Sequence, residues 1–281
     1  MLSIPELQKI SSQVRRDVIR MIHAVASGHP GASLGCADFF TVLYFDIMKP
    51  DPSHFSVDGI GEDLFFLSNG HLSACWYSVM AHYGYFDTKE LGTFRKLGSR
   101  LQGHPATEER LPGIRVASGS LGQGLSVAIG AALAKRLNKD DHLVYCLTGD
   151  GELEEGQNWE ALMFAAARKV DNIIAVVDYN GQQIDGPVDK VLPLGNLRAK
   201  MEAFDWQVFE MDGNDIHEIV KIMSSAKAAT RKEKPVMILM KTHMGAGVDF
   251  MLDKHEWHGS PPNDEQAKLA LAQLEETSGD F

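Results

Sequence analysis

The sequence predicts an α/β fold in three layers, with a mostly parallel central sheet and helices on both faces. Near-continuous apolar runs rich in Val and Ile lie at residues 142–148, 172–179 and 235–242. Such runs are typical of parallel strands that are covered on both faces. Helical patterns stand between them, at residues 158–170 and 216–229. Strands that alternate with helices in this way predict β-α-β units and a parallel sheet.

The N-terminal part of the chain is predicted to be helical. Apolar residues recur every three or four positions from Leu7 to Val25, which predicts an amphipathic helix that ends at Gly28. Residues 37–48 and 72–84 are richly apolar and predict two buried helices.

Two further segments have helical signals. Residues 87–97 open with Asp87 and Glu90, a capping-box pattern that predicts a helix start. Residues 249–281 read as a loop followed by a short helix at 264–274. No repeat, low-complexity segment or linker interrupts the chain, so residues 1–281 are predicted to form one domain.

Composition narrows the possible functions. The chain has 281 residues, of which 44% are hydrophobic, enough for a substantial core. A net charge of −11 and a pI near 5.4 argue against nucleic-acid binding, which needs a basic face. An anionic ligand would then need a local device such as a helix N-terminus, a metal ion or histidines.

The cysteines and the N-terminal segment indicate the cellular compartment of the protein. The three cysteines, Cys36, Cys75 and Cys146, form no CxxC pair and are odd in number, which predicts neither disulfides nor a zinc site. The first 17 residues lack the apolar core of a signal peptide, and no apolar run approaches the ~18 residues that cross a membrane. We expect a soluble, cytoplasmic protein that binds no membrane.

Polar residues follow two of the predicted strands. Asp150 lies in the segment TGDGELEEG directly after the first strand, and Asn180 directly follows the second. Ligands of doubly wound α/β folds bind at the carboxyl ends of such strands. A carboxylate, an amide oxygen and a nearby carbonyl make an oxygen-only site, which suits Mg²⁺ or Ca²⁺ when a phosphate supplies further oxygens. Gly149 and Gly151 are expected to let the backbone turn tightly beside the ligand.

Other interpretations of this acidic segment fit less well. An EF-hand fails because position six is Glu155 and position twelve is Ala161. A dinucleotide fingerprint is absent, because the glycines of residues 119–128 follow the order GxxGxG, although that segment does open a helix. Acidic side chains at a helix start would interact favourably with the positive end of the helix dipole. That explains some of the acids but neither the flanking glycines nor the related segment at 178–186.

Four of the eleven histidines share a local setting. His29, His71, His104 and His258 each stand beside glycine or proline in a short polar turn. Such turns place an imidazole in a cleft, where it can bind a phosphate or hydroxyl or move a proton. A lone histidine is more often structural, and that interpretation is kept for His23, His54, His82, His142 and His217, with His243 and His255 left open.

Together these segments resemble transketolase. GDG followed some 30 residues later by Asn is similar to the thiamine diphosphate fingerprint. The segments ASGHPGASLG, LSNGHLSACWY, QGHP, ASGSLGQGLSVAIGAA, TGDGELEEG, DYN and WHGSPP have that family's order and spacing, over about residues 10–265. The resemblance implies a thiamine-diphosphate-binding fold and Mg²⁺, with Ca²⁺ or Mn²⁺ as alternatives.

The resemblance also implies roles for individual residues. The metal would be held by Asp150, Asn180 and the main-chain oxygen of Gln182. His29 and His104 would contact the hydroxyls of the sugar. The cofactor would be contacted by His71, Gly119, Ser120, Leu121, Gly151, Glu152, Asn180 and His258. Of these, His71 and His258 would also assist proton transfers, and Leu121 would pack near the aminopyrimidine. Glu155 would meet a carboxylate of a partner chain and share its proton network.

The resemblance covers only the first part of a transketolase. Whole transketolases are more than twice this long and continue with a pyrimidine-binding domain. That domain carries the glutamate that activates thiamine and the basic cluster that holds the substrate phosphate. The chain therefore resembles the N-terminal subunit of a split transketolase, inactive alone and joined in an α₂β₂ assembly to a separate C-terminal subunit. The assembled enzyme would transfer a two-carbon ketol unit from a ketose phosphate to an aldose phosphate.

Two other functions remain open at the level of sequence. The chain could be half of another thiamine diphosphate enzyme, similar to deoxyxylulose-phosphate synthase or to the E1α subunit of 2-oxo-acid dehydrogenases. Those families share GDG and Asn but lack the set of turns around His29, His104 and His258. It could also be a non-catalytic homologue that binds the cofactor.

Overall fold

Five parallel strands form the central sheet of the computed structural model, which describes residues 2–281. The strands are β1 (Leu64–Leu67), β2 (Val144–Gly149), β3 (Ile173–Tyr179), β6 (Gln207–Asp212) and β7 (Val236–Lys241). They are arranged in the order β1-β2-β3-β7-β6. A small antiparallel pair, β4 (Gln182–Gln183) and β5 (Gly186–Pro187), follows β3. All five strands of the sheet therefore direct their carboxyl ends to one edge.

Helices connect these strands. Within the described residues the α-helices are α1 (Ile4–Ala24), α2 (Pro30–Gly35), α3 (Ala37–Val42), α4 (Ser73–Tyr83), α5 (Gly124–Leu137), α6 (Gly156–Ala167), α7 (Val188–Val191), α8 (Leu197–Ala203), α9 (Ile216–Ala229) and α10 (Asp264–Gln273). A π-helical segment (Leu43–Met48) continues α3. Short 3₁₀ segments lie at Pro52–His54, Gly70–Leu72, Thr88–Thr93, Gly151–Glu154 and His255–Trp257.

The sheet separates two apolar cores. Alternate residues of β2 point to opposite faces, so Tyr145 joins the core beneath α1, α3, α4 and α9, whereas Cys146 joins the core beneath α5, α6 and α8. Both side chains are fully buried. The predicted three-layer α/β architecture with a parallel sheet is therefore confirmed.

The predicted elements match the structure with local differences. The three predicted strands are present within two residues, and the helix at 216–229 has the predicted bounds. The first helix ends at Ala24, before Gly28, which has a φ of +146° and would place a Cβ 2.7 Å from Ile22 Cγ1. Glycine is therefore required at this position for the turn that leads to α2.

The capping box predicted at Asp87 is wrong. The segment is a 3₁₀ helix, and Asp87 accepts from the Lys89 amide. Glu90 does not reach back to the helix start, because both of its oxygens accept hydrogen bonds from Arg100, at 2.8 and 2.7 Å. Asp87 therefore caps the segment, but the reciprocal contact of a capping box is missing because Glu90 pairs with Arg100.

All three cysteines are free and buried in the core. Burial raises the pKa of the thiols of Cys36, Cys75 and Cys146. No helix in the part of the chain described here has the length and apolar character needed to span a membrane.

Candidate active site

The carboxyl ends of β2 and β3 lie side by side and carry the two polar residues singled out in the sequence. Asp150 follows β2 and Asn180 follows β3, and the strands pair with Gly149 opposite Asp178. The Asp150 carboxylate accepts a hydrogen bond from the Gly181 amide at 2.6 Å, across the gap between the strands. The structure therefore places the Asp150 side chain against the turn that begins at Asn180.

Neighbouring groups hold the Asn180 amide in one orientation. Its Nδ2 donates to Asp178 Oδ2 at 2.8 Å, and its Oδ1 accepts from the Gln182 main-chain N–H at 2.8 Å. Thr242, which follows β7, donates to the other oxygen of Asp178. Because Asp178 takes the nitrogen end of the amide, the oxygen end stays on the side of Gln182.

Two buried carboxylates at this edge have no cation beside them. Asp150 and Asp178 are each 1% exposed, and no Lys, Arg or His of residues 2–281 offsets the charge of either one. Burial, with the neighbouring Asp178 as a smaller cause, raises the pKa of Asp150 to about 7. Burial raises the pKa of Asp178 to about 6. A divalent cation beside Asp150 would supply the missing positive charge.

The available ligand atoms suit a hard cation. No group of three or more His, Cys, Asp or Glu side chains that could hold a metal occurs in residues 2–281. The ligand set expected from the sequence has one carboxylate, Asp150, with the Asn180 amide oxygen and a main-chain carbonyl as its other protein ligands. Such a set leaves positions for water and phosphate oxygens, which is how Mg²⁺ is commonly bound.

The glycines around Asp150 do not form a left-handed turn, and Gly151 allows close packing. Neither Gly149 nor Gly151 has a positive φ. A Cβ on Gly151 would lie 3.2 Å from the Cβ of Gln183 in β4. The missing side chain of Gly151 thus lets the turn after β3 approach the turn after β2.

The three glutamates of TGDGELEEG face three different environments. Glu152 is buried, and its two oxygens accept hydrogen bonds from the protein itself. Glu154 is half-buried and accepts from Gln183 Nε2 at 2.7 Å. Glu155 is exposed beside Gly122 and makes no helix-capping hydrogen bond. Both oxygens of the Glu152 carboxylate contact other turns of the chain, and the cofactor contact expected for Glu152 stays a prediction.

Four histidines from separate loops converge near this edge. The His29 ring centroid lies 5.1 Å from that of His71, 5.9 Å from that of His104 and 5.6 Å from that of His258. His71 and His258 are 5.1 Å apart. These are the four histidines that their Gly- and Pro-containing turns singled out in the sequence, and His29 lies at their centre.

Glycines allow the histidine loops to pack closely. A Cβ on Gly119, whose φ is +121°, would lie 2.7 Å from His104 Cδ2. A Cβ on Gly70 would lie 2.6 Å from Ser118 Oγ. The turn that carries His71 therefore touches the segment that leads into α5. Of the predicted cofactor-contacting residues in that segment, Ser120 and Leu121 are exposed.

Burial keeps the four imidazoles neutral at pH 7. It lowers the pKa of His29 to about 4, with His258, Arg95 and His104 as smaller causes. Burial is also the largest cause of the lowered pKa values of His71, His104 and His258. The Nδ1 atoms of His29 and His258 are buried without a hydrogen-bond partner within residues 2–281. A polyhydroxylated ligand would satisfy such nitrogens.

Two residues at this site were not singled out by the sequence pattern. Asn69 is 1% exposed, and within the described chain neither polar atom of its side chain has a partner. The position of Asn69 in the SNGH turn is the sequence signal that could have identified it as a site residue. Arg95 donates to Ser27 Oγ at 2.8 Å, and its charge helps to lower the pKa of His29. Arg95 lies in a segment that was predicted only as a helix.

A cavity of about 810 Å³ adjoins Asn180 and Gln182. Its lining includes the carboxylates of Asp189, Glu210, Asp212, Glu218 and Asp253, with Lys241 and His243. His243, which the sequence left unassigned, pairs with Asp253 at 3.0 Å. The acidic lining would repel a diphosphate, so such a group fits better on the side of Asp150 and the histidines.

The buried histidines should make the cofactor-free chain sensitive to acid. His29 titrates near 6.5 when unfolded and near 4 when folded, so the unfolded state takes up the proton first as the pH falls. Stability from this group is present above pH 6.5 and is lost towards pH 4. We expect the melting temperature of His29→Gln, measured by scanning calorimetry, to fall less between pH 7 and pH 4.5 than that of the wild type. The exposed His217→Gln is the control, and an equally steep loss in His29→Gln would contradict the expectation.

A parallel sheet that holds Asp150 and Asn180 at its carboxyl edge, where doubly wound α/β folds bind their ligands, together with a cluster of four histidines, defines an α/β ligand-binding domain. The family described as transketolase, thiamine diphosphate binding domain, matches residues 7–276. The chain belongs to this family, which confirms the resemblance found in the sequence and places the protein among the transferases.

Two similar chains are named as separate transketolase subunits. One is a subunit of the apulose-4-phosphate transketolase of Actinobacillus succinogenes, which is 36% identical over 276 residues that cover 98% of each chain. The other is the 6-deoxy-6-sulfo-D-fructose transketolase subunit SqwG of Clostridium sp. strain MSTE9, which is 39% identical over 271 residues that cover 96% of each.

Undivided transketolases match over less than half of their length. Human transketolase is 35% identical, and the match covers 95% of this chain but 42% of the human protein. The crystal structure of transketolase from Campylobacter jejuni is 34% identical with a TM-score of 0.88, and the match covers 97% of this chain and 43% of that one. This similarity confirms the predicted thiamine-diphosphate-binding fold.

Proposed function

We propose that this chain is the cofactor-binding subunit of a two-subunit transketolase that transfers a ketol unit from a ketose phosphate to an aldose phosphate. The observation that carries the proposal is the convergence of four neutral histidines at the sheet edge that holds Asn180 and the buried Asp150, whose charge no cation of the described chain offsets. Two relatives named as transketolase subunits, similar along their whole length, support it.

The metal and cofactor are assigned to the edge of the sheet. Asp150, the Asn180 amide oxygen and the Gln182 main-chain carbonyl would hold Mg²⁺, which would neutralise the diphosphate and the buried carboxylate. Main-chain groups from Gly119 to Leu121 and at Gly151 would line the cofactor. When bound, thiamine diphosphate supplies a nucleophilic carbon and an electron sink.

The histidines act on the oxygens of the sugar. His29 and His104 hydrogen-bond the hydroxyls near the carbon–carbon bond that breaks. As that bond breaks, the hydroxyl of the departing aldose becomes a carbonyl and its proton must be accepted. His71 and His258, which are neutral at pH 7, would accept that proton and return it to the oxygen of the acceptor aldehyde as the new bond forms.

A second chain completes the enzyme in this proposal. It would supply the glutamate for the pyrimidine ring and the basic groups for the substrate phosphate, in an α₂β₂ assembly. Support comes from the exposed Glu155 and from the relatives named as subunits. The three free buried cysteines are consistent with a cytoplasmic location.

Reconstitution tests the proposed function. The chain would be mixed with a separate C-terminal transketolase subunit from the same organism, thiamine diphosphate and Mg²⁺, and assayed with xylulose 5-phosphate and ribose 5-phosphate. We expect ketol transfer by the pair and none by this chain alone. Decarboxylation of pyruvate without ketol transfer would favour the 2-oxo-acid dehydrogenase alternative. Binding of the cofactor by the pair without any ketol transfer or decarboxylation would favour the non-catalytic homologue that binds the cofactor.

His104 should discriminate between sugar and keto-acid chemistry. We expect His104→Asn to lower kcat/KM for the ketose phosphate about 100-fold, because the shorter amide does not place a hydrogen-bonding atom where the imidazole does. Its affinity for thiamine diphosphate, measured by calorimetry, should stay within about twofold, as should that of the exposed control His217→Asn. A large loss of cofactor affinity with unchanged sugar kinetics would show that His104 serves the cofactor instead.

A further inference from the structure

The buried carboxylate of Glu152 joins three turns at the edge of the sheet. Glu152 is 2% exposed. Its Oε1 accepts from Ser68 Oγ and from the Gly122 amide at 2.8 Å, and its Oε2 accepts from the Gly149 amide at 3.0 Å. We call these three contacts the Glu152 bridge. They connect the turn after β1, the segment before α5 and the end of β2.

Two further hydrogen bonds extend the bridge into the helices. Ser68 Oγ accepts from the amide of Gly124, the first residue of α5, at 3.0 Å. The Glu152 main-chain oxygen accepts from Asn158 Nδ2 at 2.6 Å, and Asn158 is fully buried in α6. A Cβ on Gly124 would lie 2.5 Å from the Ser68 side chain, so the turn after β1 presses on the start of α5.

Each joined turn carries a group with a role in the proposed function. The turn after β1 leads to His71, the segment before α5 contains Gly119–Leu121, and the end of β2 leads to Asp150. No other side chain among the described hydrogen bonds contacts all three. The bridge therefore spans the proton-handling, cofactor-lining and metal-binding parts of the site.

We propose that Glu152 is a positioning residue, which sets the relative positions of these three turns and so prepares the site for thiamine diphosphate and its metal. The proposal rests on the proposed function for the identity of the ligand. Glu152 accepts three hydrogen bonds and offers no donor, which only a carboxylate can do at this position. A glutamine would direct its NH₂ group at one of the donors and leave that donor without a partner. Because the Glu152 carboxylate points into the protein, it also avoids electrostatic repulsion with the diphosphate of the cofactor.

Two variants and two measurements test the bridge. Glu152→Gln keeps the side-chain shape, and Ser68→Ala removes the shared hydroxyl. In the complex with the partner subunit, calorimetry with thiamine diphosphate and Mg²⁺ should show a Kd about tenfold higher, or more, for each variant. In the full chain without cofactor, amide hydrogen exchange should quicken in all three segments, 68–71, 119–124 and 149–152. The double variant should lose little more affinity than Glu152→Gln alone, because both changes break one unit.

Glu160→Gln, an exposed glutamate of α6, is the matched control and should resemble the wild type in both measurements. A Kd within twofold of the wild type for both variants, or faster exchange confined to 149–152, would overturn the bridge. If Glu152→Gln does not fold, Ser68→Ala carries the same test. A wild-type complex that fails to bind thiamine diphosphate would overturn the proposed function, while the exchange measurement would still decide whether the three turns are coupled.

Discussion

Replacing Asp150 by asparagine is expected to weaken Mg²⁺-dependent binding of thiamine diphosphate by about 100-fold or more. The substitution preserves shape but removes the only carboxylate proposed as a metal ligand. The diphosphate would then meet the edge of the sheet with less positive charge to balance it. Loss of one partner from a buried charge pair typically costs about 3–5 kcal/mol, which corresponds to this range.

The measurement is a calorimetric titration of the complex with thiamine diphosphate, with and without Mg²⁺. Asp185→Asn is the matched control, because Asp185 is an exposed acid in the nearby β4–β5 turn. It should bind as the wild type does. If Asp150→Asn bound the cofactor with unchanged affinity and unchanged dependence on Mg²⁺, the metal site would have to lie elsewhere.

Glu155→Ala is expected to lower ketol transfer by the assembled enzyme by about 100-fold or more. Glu155 is exposed and leaves its carboxylate free for a partner chain, so the variant should not disturb the fold of this chain. Loss of a group from a shared proton network has effects in the range of general acid–base catalysis, about 10²–10⁴-fold.

Two readouts besides activity separate the possible causes. The melting temperature of the isolated chain should be unchanged, and sedimentation with the partner subunit shows whether assembly or catalysis is lost. Glu160→Ala removes another exposed acid of the same region and should keep full activity. Glu155→Ala with wild-type activity and wild-type assembly would exclude an interface role for Glu155.

Apolar patterning predicted the centre of the sheet but not its edges. β2, β3 and β7 are buried on both faces, so their apolar runs were clear in the sequence. β6 alternates buried and exposed residues and includes Glu210, and β1 has only four residues. Both edge strands therefore lacked a long apolar run, although β6 pairs with β7 and completes the sheet.

Local turn chemistry singled out the four histidines that the structure brings together, but the sequence could not predict the distances between them. The SGHPG, SNGH, QGHP and WHG turns marked four histidines that are up to 229 positions apart, from His29 to His258. Their convergence depends on tertiary packing, such as the contact of Gly119 with His104. Arg95 was missed for the same reason, because its segment gives no local sign that it returns to the site.

Whether each acidic side chain in TGDGELEEG points inward or outward also depends on neighbours that the sequence does not show. The sequence places Glu152 and Glu155 in one turn, and nothing local distinguishes them. Glu152 turns inward because Ser68, Gly122 and Gly149 supply hydrogen bonds there, whereas Glu155 has no such donors and stays exposed. The Glu152 carboxylate thus contacts other turns of the chain, and its contact with the cofactor stays a prediction.

The burial of Cys36, Cys75 and Cys146 has a practical consequence for labelling. With raised thiol pKa values and no exposure, all three should resist maleimide reagents in the folded state. The native chain can therefore serve as its own background for fluorescent labelling. A single cysteine introduced at an exposed position of α10, on the opposite side of the sheet from α6, would carry a dye with which the joining of the two chains can be followed in real time.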